Sequence, residues 1–180
     1  LGAAAAALLT PRAGWAADPI KIGYPANLTG IQASLDGPML NGAKLAASEI
    51  NEAGGVLGRP IELVVYDSKS DATTISTVAS QLIDSDKVVG IIGFADSHSV
   101  LAIGPQVQTA KIPFITPGAT SPKLPSQIGD EIFLAAFGDN VQAAVGAEFA
   151  LNKLNAKTAY LLTDIGAEYT TLLSDYFVSA

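Results

Sequence analysis

The chain has few of the residues on which disulfides, metal binding and nucleic-acid binding depend. Its 180 residues include no cysteine, which excludes disulfides, thiolate chemistry and cysteine-based metal sites. Charged residues make up only 15% of the chain, the formal net charge is −7, and no basic cluster occurs. Because nucleic-acid binding depends on basic surfaces, we expect no nucleic-acid partner. After the N-terminal region, no apolar run is long enough to cross a membrane.

Catalytic signatures are missing as well. The single histidine, His98, lies in a Ser-His-Ser string that lacks the nucleophile, base and orienting acid of a triad. We interpret it as an exposed or capping loop residue. The spacing from Gly90 to Gly93 resembles part of a dinucleotide turn, but neither GxGxxG nor GxxxxGK[ST] occurs. A Rossmann-type enzyme is therefore the less favoured alternative, and we expect no enzymatic activity and no cofactor or metal.

The N-terminal residues predict an exported, soluble protein. Residues 1–9 form an apolar run that is too short to cross a bilayer but suits the hydrophobic region of a signal peptide. Small residues follow, so we interpret residues 1–17 as a signal-peptide remnant, with an alanine-rich helix as the alternative. Because a basic segment and an initial Met are both missing, we expect that the beginning is truncated.

Alternating strand and helix patterns predict an α/β fold. Strands are predicted over residues 20–24, 61–66, 88–92, 112–115 and 131–137, and helices over residues 39–53, 72–83 and from about residue 100. This order is typical of a Rossmann-like parallel sheet with helices on both faces. After a loop at residues 138–140, a helix over 141–154, a strand within residues 156–163 and a helix from residue 168 are predicted. We expect a first lobe over residues 18–137 and an incomplete second lobe over residues 138–180.

Two loops rich in hydroxyl groups follow neighbouring strands of this sheet. In an open α/β sheet, ligands bind outside the carboxyl ends of the strands. Ser97 and Ser99 are placed to cap the next helix, whose free N–H groups suit a carboxylate. The carbonyl of Gly118 and the hydroxyl of Thr120 suit an ammonium group. The sequence therefore predicts a pocket for a small polar molecule, with plain capping and turn roles as the alternative.

Five segments carry a resemblance to a known family. They read TGIQASLDG, NGAKLAASEINEAGG, LGRPIELVVYDSKSD, IIGFADSHS and IPFITPGATSP. Together they resemble the type I periplasmic binding proteins, and within these the leucine/isoleucine/valine receptors of ABC importers. The resemblance implies a periplasmic protein whose two Rossmann-like lobes close on a small ligand and then dock onto a membrane permease. The expected ligand is an amino acid, branched-chain or otherwise aliphatic.

The resemblance also implies which residues bind the ligand. Ser97 corresponds to the serine that binds the ligand carboxylate, and Ala95 would line the pocket beside it. Gly118, Ala119 and Thr120 correspond to the small-residue loop that holds the carboxylate and the ammonium group.

Other positions agree less closely with the family. Tyr169 matches the aromatic residue of the second lobe that stacks on the ligand, with a core tyrosine as the alternative. Leu35 stands where an aromatic is often found, which argues against a close copy of a leucine-type pocket. A disulfide of some members would fall at Ser70 and Asp96. Asp96 is also unfavourable beside an anionic ligand unless it points away or meets an ammonium group.

Two further functions remain open within the same fold. The first is a receptor for amides, urea or aromatic acids. The second is a ligand-sensing regulator, against which the predicted signal peptide argues.

Overall fold

The computed structural model describes residues 18–180, so the interpretation of residues 1–17 as a signal-peptide remnant lies outside the described residues. The strands are β1 (Ile20–Ala26), β2 (Ile61–Asp67), β3 (Gly90–Ile92), β4 (Phe114–Thr116) and β5 (Ile132–Leu134). The helices are α1 (Ala33–Glu52), α2 (Ala72–Ser80), α3 (Ser97–Ala110), α4 (Leu124–Ile128), α5 (Asp139–Asn152) and α6 (Glu168–Ser179). A π-helical turn, Gln81–Ser85, extends α2. Within residues 18–180, no helix combines the length and the apolar character of a membrane span.

The strands form one parallel sheet in the order β2-β1-β3-β4-β5. The chain adds β2 on one side of β1 and β3 on the other, so the direction of sheet growth reverses between β1 and β3. Loops that leave the carboxyl ends of these two strands diverge to opposite faces, which opens a crevice between them. The predicted α/β fold with a parallel sheet is confirmed.

Helices cover both faces of the sheet. This cover is needed because the strands are continuous apolar runs, which place apolar side chains on both faces. On one face, α2 and α3 pack against β3 and β4 around Ile75, Leu82, Phe94, Ile103 and Phe114, all fully buried. The rings of Phe94 and Phe114 meet edge to face with centroids 6.5 Å apart. On the other face, a smaller cluster joins α1 to the carboxyl end of β1. The crevice at the strand ends is therefore bordered by helices that are anchored in two apolar layers.

Helix α1 begins earlier than its sequence predicts. It starts at Ala33 rather than at residue 39, and Pro38 lies inside it instead of in its first turn. The turn-forming residues of this stretch favour a loop in isolation. In the folded chain Asp36 is buried in the first turn of the helix and accepts hydrogen bonds from two neighbouring backbone segments. Tertiary hydrogen bonds therefore override the local preference.

Strands β3, β4 and β5 are shorter than expected. Residues 88–92 contribute only Gly90–Ile92 to the sheet, and Val89 is 60% exposed. The prediction of a strand within residues 156–163 was wrong, because the backbone of this stretch pairs with no neighbouring strand among residues 18–180. Tyr160 and Leu162 are 90% and 91% exposed there. A strand needs a neighbouring strand to pair with its backbone N–H and C=O groups, and a local sequence pattern does not reveal whether that neighbour is present.

Candidate functional site

A cleft of about 650 Å³ opens at the carboxyl ends of the first four strands. Its apolar wall comes from the beginning of α1 and the turn before it, with Ile31, Leu35 and Met39 lining the cleft. Its polar wall comes from the loops after β3 and β4. The residues that lead into α6, including Tyr169, close the opposite side. The cleft lies at the crevice that the sheet topology creates.

Helix α3 is capped by Asp96, so the prediction that Ser97 and Ser99 cap it was wrong. One carboxylate oxygen of Asp96 accepts a hydrogen bond from the backbone N–H of Ser99 at 2.8 Å. The other accepts one from the side-chain amide of Asn27 at 3.4 Å. An aspartate in the Ncap position satisfies an N–H group that the helix cannot. The Asp96 charge is thus directed at protein donors, and the Ser97 hydroxyl is left for other partners.

The two hydroxyl-rich loops hold each other. The backbone N–H of Ser121 donates to the Ser97 hydroxyl at 3.3 Å. The buried Thr116 hydroxyl donates to the carbonyl of Phe94 at 2.8 Å and accepts from the N–H of Ala119 at 3.0 Å. Phe94 has a φ of 58°, a conformation that is unfavourable for a bulky residue and is maintained here by its surroundings. The loop after β3 is therefore fixed by the loop after β4.

Ala119 differs from its predicted placement. Its side chain is 1% exposed and belongs to the apolar core, and its N–H is already bound to Thr116. The remaining residues predicted to bind a ligand all line the cleft, namely Leu35, Ala95, Ser97, Gly118, Thr120 and Tyr169. The loop after β4 thus presents Gly118 and Thr120 to the cleft and directs the residue between them into the core.

Gly118 allows α1 and the two loops to meet at the cleft. A Cβ atom at this position would lie 2.8 Å from the terminal methyl of Met39 and 3.0 Å from the Cα of Ala95. A larger residue would therefore push the apolar wall away from the polar wall.

A buried carboxylate beneath the cleft joins the ends of β1 and β3. Asp36, which is 2% exposed, accepts hydrogen bonds from the N–H of Asn27 at 2.6 Å and from the N–H of Ala95 at 2.8 Å. The pKa of Asp36 is raised above its usual value, mainly by burial and also by the nearby charge of Asp96. The two N–H groups act in the opposite direction and lower the pKa. The Asn27 side chain extends the network, since its oxygen accepts from the N–H of Ser70 at 2.9 Å.

This network was not identified from the sequence. The available signal was an acidic residue in a turn-rich stretch directly after a strand, where carboxylates often accept backbone hydrogen bonds. The pairing of Asp36 with residues from the loops after two separate strands could not be deduced from spacing.

A hydrogen bond joins α4, which packs beside β5, to the beginning of α6 on the far side of the cleft. The side-chain amide of Gln127, in α4, donates to a carboxylate oxygen of Glu168 at 3.3 Å. Glu168 is the first residue of α6 and lines the cleft beside Tyr169. Both partners are exposed. The contact therefore joins the two sides of the cleft at its rim, where solvent weakens it.

Comparisons with known proteins agree with this geometry. A family profile described as "Periplasmic binding protein" matches residues 19–176. The leucine-, isoleucine-, valine-, threonine-, and alanine-binding protein of Pseudomonas aeruginosa is 33% identical over 149 residues, which cover 83% of this chain and 40% of that protein.

Solved structures give the same result. The branched-chain amino acid transporter substrate binding protein LivJ from Streptococcus pneumoniae, in complex with isoleucine, aligns with a TM-score of 0.85 and 33% identity, over 89% of this chain and 46% of that one. The leucine binding protein LivK from Thermotoga maritima aligns with a TM-score of 0.80 and 32% identity, over 89% and 45%. The chain spans less than half the length of these relatives.

An open parallel α/β sheet with a cleft at its topological switch point agrees with these matches. The chain belongs to the periplasmic binding protein family. The relatives described above are all named for the binding of amino acids or substrates rather than for a reaction.

Proposed function

We propose that the protein captures a small aliphatic amino acid, with branched-chain amino acids as the leading candidates, for an ABC importer. The observation that carries this proposal is the pairing of two unlike walls in one cleft. Ser97 and Thr120 provide hydroxyl groups on one wall, and Ile31, Leu35 and Met39 provide an apolar surface on the other. An aliphatic amino acid needs both, because its charged backbone groups require polar partners and its side chain gains from burial.

The polar wall contains groups for each charge of an amino acid. Ser97 is the first residue of α3, where N–H groups of the first helical turn and the positive end of the helix dipole favour a carboxylate. Thr120 and the carbonyl of Gly118 offer oxygen atoms to an ammonium group. Tyr169 enters from the opposite side and is 40% exposed, so its ring is available to cover a bound ligand.

The same proposal includes the architecture of the whole protein. Residues 18–137 would form the first lobe and residues 138–180 the beginning of the second, which closes over the ligand by a hinge motion. The exposed apolar residues of α5 and of the stretch before α6, such as Phe149, Tyr160 and Leu162, would be covered by the remainder of that lobe. Export to the periplasm and docking onto a membrane permease follow from this role.

A thermal-shift panel tests the ligand class. The protein, expressed from its complete natural reading frame, would be heated with leucine, isoleucine, valine, alanine, phenylalanine, glutamate, urea, acetamide or benzoate. A ligand at about 100 times its dissociation constant stabilises the folded state by about 2.7 kcal/mol, which raises the melting temperature measurably. We expect a shift with the aliphatic amino acids.

Substitutions locate the site. Ser97→Ala and Thr120→Ala are each expected to weaken amino-acid binding about tenfold or more, because a hydrogen bond to a charged group is lost. Thr109→Ala in α3 and Ser126→Ala in α4 remove exposed hydroxyls of the same kinds away from the cleft and should leave the dissociation constant unchanged. A shift with urea, amides or benzoate alone would retain a receptor and reject the amino acid. No shift with any of these compounds would reject the proposed ligand class.

A further inference from the structure

One carboxyl group near the cleft has no partner. Asp139, the first residue of α5, is 0% exposed, and neither of its carboxyl oxygens has a hydrogen-bond partner among residues 18–180. Burying a carboxylate without a partner is costly, so such groups usually serve a specific purpose. The sequence analysis placed residue 139 in the loop between the two lobes and assigned it no role.

Asp139 lies directly behind the wall of the cleft that Thr120 forms. Its backbone N–H donates to the carbonyl of Thr120 at 2.9 Å, and Thr120 lines the cleft whereas Asp139 does not. The pKa of Asp139 is raised above its usual value, mainly by burial and also by the charge of Glu168. The Thr120 hydroxyl acts in the opposite direction and lowers the pKa. The hydroxyl of Thr120 is thus close enough to stabilise the charged carboxylate, although the structure shows no well-formed hydrogen bond between the two groups.

We propose that Asp139 is a positioning residue that orients the Thr120 hydroxyl toward itself and thereby makes the cleft select ligands with an ammonium group. This inference rests on the proposed function. A hydroxyl whose hydrogen points to Asp139 presents only its lone pairs to the cleft, so Thr120 accepts from an ammonium group and does not donate to a carboxylate. The negative charge behind it favours a cation in the same place, and the effect is strong because the carboxylate is shielded from water.

The test compares leucine with 4-methylpentanoate, which is leucine without its ammonium group. Both ligands would be titrated calorimetrically into the protein expressed from its complete reading frame. Asp139→Asn keeps the shape of the side chain and removes its charge. We expect it to weaken leucine binding about ten- to a hundredfold and to leave 4-methylpentanoate unchanged or slightly tighter. Equal losses for both ligands would overturn the proposal, because they indicate a general structural role.

A matched control removes the same charge elsewhere. Asp130 is an exposed residue that precedes β5, at the opposite end of the strands from the cleft, with Lys111 at 3.9 Å. Asp130→Asn should leave the leucine to 4-methylpentanoate ratio at its wild-type value. If this ratio fell as far as in Asp139→Asn, net charge rather than position would be responsible and the proposal would fail.

A second set of variants separates this proposal from the proposed function. Thr120→Val should lose the preference for leucine, whereas Thr120→Ser, which keeps a hydroxyl, should retain most of it. Without any ligand, Asp139→Asn should shift the urea midpoint less in the Thr120→Val background than in the wild type. Equal shifts would overturn the contact between the two residues. If the wild type bound no amino acid, the proposed function would fail, and the ligand-free comparison would still decide whether Asp139 holds Thr120.

Discussion

Replacing Asp36 by alanine is expected to lower the free energy of unfolding by about 2–6 kcal/mol, since each of two buried N–H groups that lose their acceptor costs about 1–3 kcal/mol. Those groups belong to Asn27, which directly follows β1, and to Ala95, which lies in the loop after β3. No water can replace the carboxylate without opening the space between α1 and the sheet, because Asp36 is 2% exposed. The effect would be measured by urea unfolding, followed by far-UV circular dichroism.

Two variants sharpen this experiment. Asp36→Asn keeps one oxygen as an acceptor and replaces the other by a donor. Its free energy of unfolding should therefore fall by about half as much as that of Asp36→Ala. Asp84→Ala removes an exposed carboxylate and should change the stability by less than about 0.5 kcal/mol. An Asp36→Ala protein as stable as the wild type would show that the loops of the cleft are held by other contacts.

Adding a single methyl group at Gly93 is expected to destabilise the fold by about 3 kcal/mol or more, at the upper end of the cost of overpacking. The Cβ of an alanine at this position would lie 2.3 Å from the carbonyl oxygen of Pro25. The obstacle is backbone in a neighbouring strand, which cannot move aside as a flexible side chain would. Gly93 also donates its N–H to the carbonyl of Ile115 at 3.1 Å, so a displacement would disturb both neighbouring strands.

The same replacement of glycine by alanine at Gly42 provides the control, and there we expect the stability to change in the opposite direction. Gly42 is exposed in α1, and a Cβ there would meet nothing within 4 Å. Because alanine favours a helix over glycine by about 0.8–1.0 kcal/mol, Gly42→Ala should stabilise the protein. Urea unfolding of the two variants should therefore move the midpoint in opposite directions. Stabilisation by Gly93→Ala would contradict the close approach of β1 to the end of β3.

The parallel sheet and the position of the cleft could be predicted because they depend on local patterns. Apolar runs at residues 61–66 and 88–92 identify strands that are flanked by helices, and parallel strands place their carboxyl ends together. The loops that follow are recognisable from small and hydroxyl-bearing residues. The resemblance to a family then narrowed the site to positions such as Ser97 and Thr120, which do line the cleft.

What could not be predicted depends on contacts between distant segments. Asp36 is buried in a helix because residues 27 and 95 supply its donors. Asp96 rather than a serine caps α3, although all three residues are acceptable at an Ncap position, so propensity could not choose among them. Ala119 turned inward because Thr116 binds its N–H. In each case a tertiary partner decides between local structures of similar free energy.

The stretch before α6 affects the tendency of the chain to associate with copies of itself. Residues 158–163 are uncharged, rich in β-forming side chains and exposed, and sequences of this kind tend to pair with copies of themselves into aggregates. Lys157 and Asp164 flank the stretch with one charge on each side. Charged residues in such positions act as gatekeepers that oppose stacking of identical strands. The two flanking charges therefore oppose parallel, in-register stacking of this segment between copies of the chain, because such stacking would place like charges together.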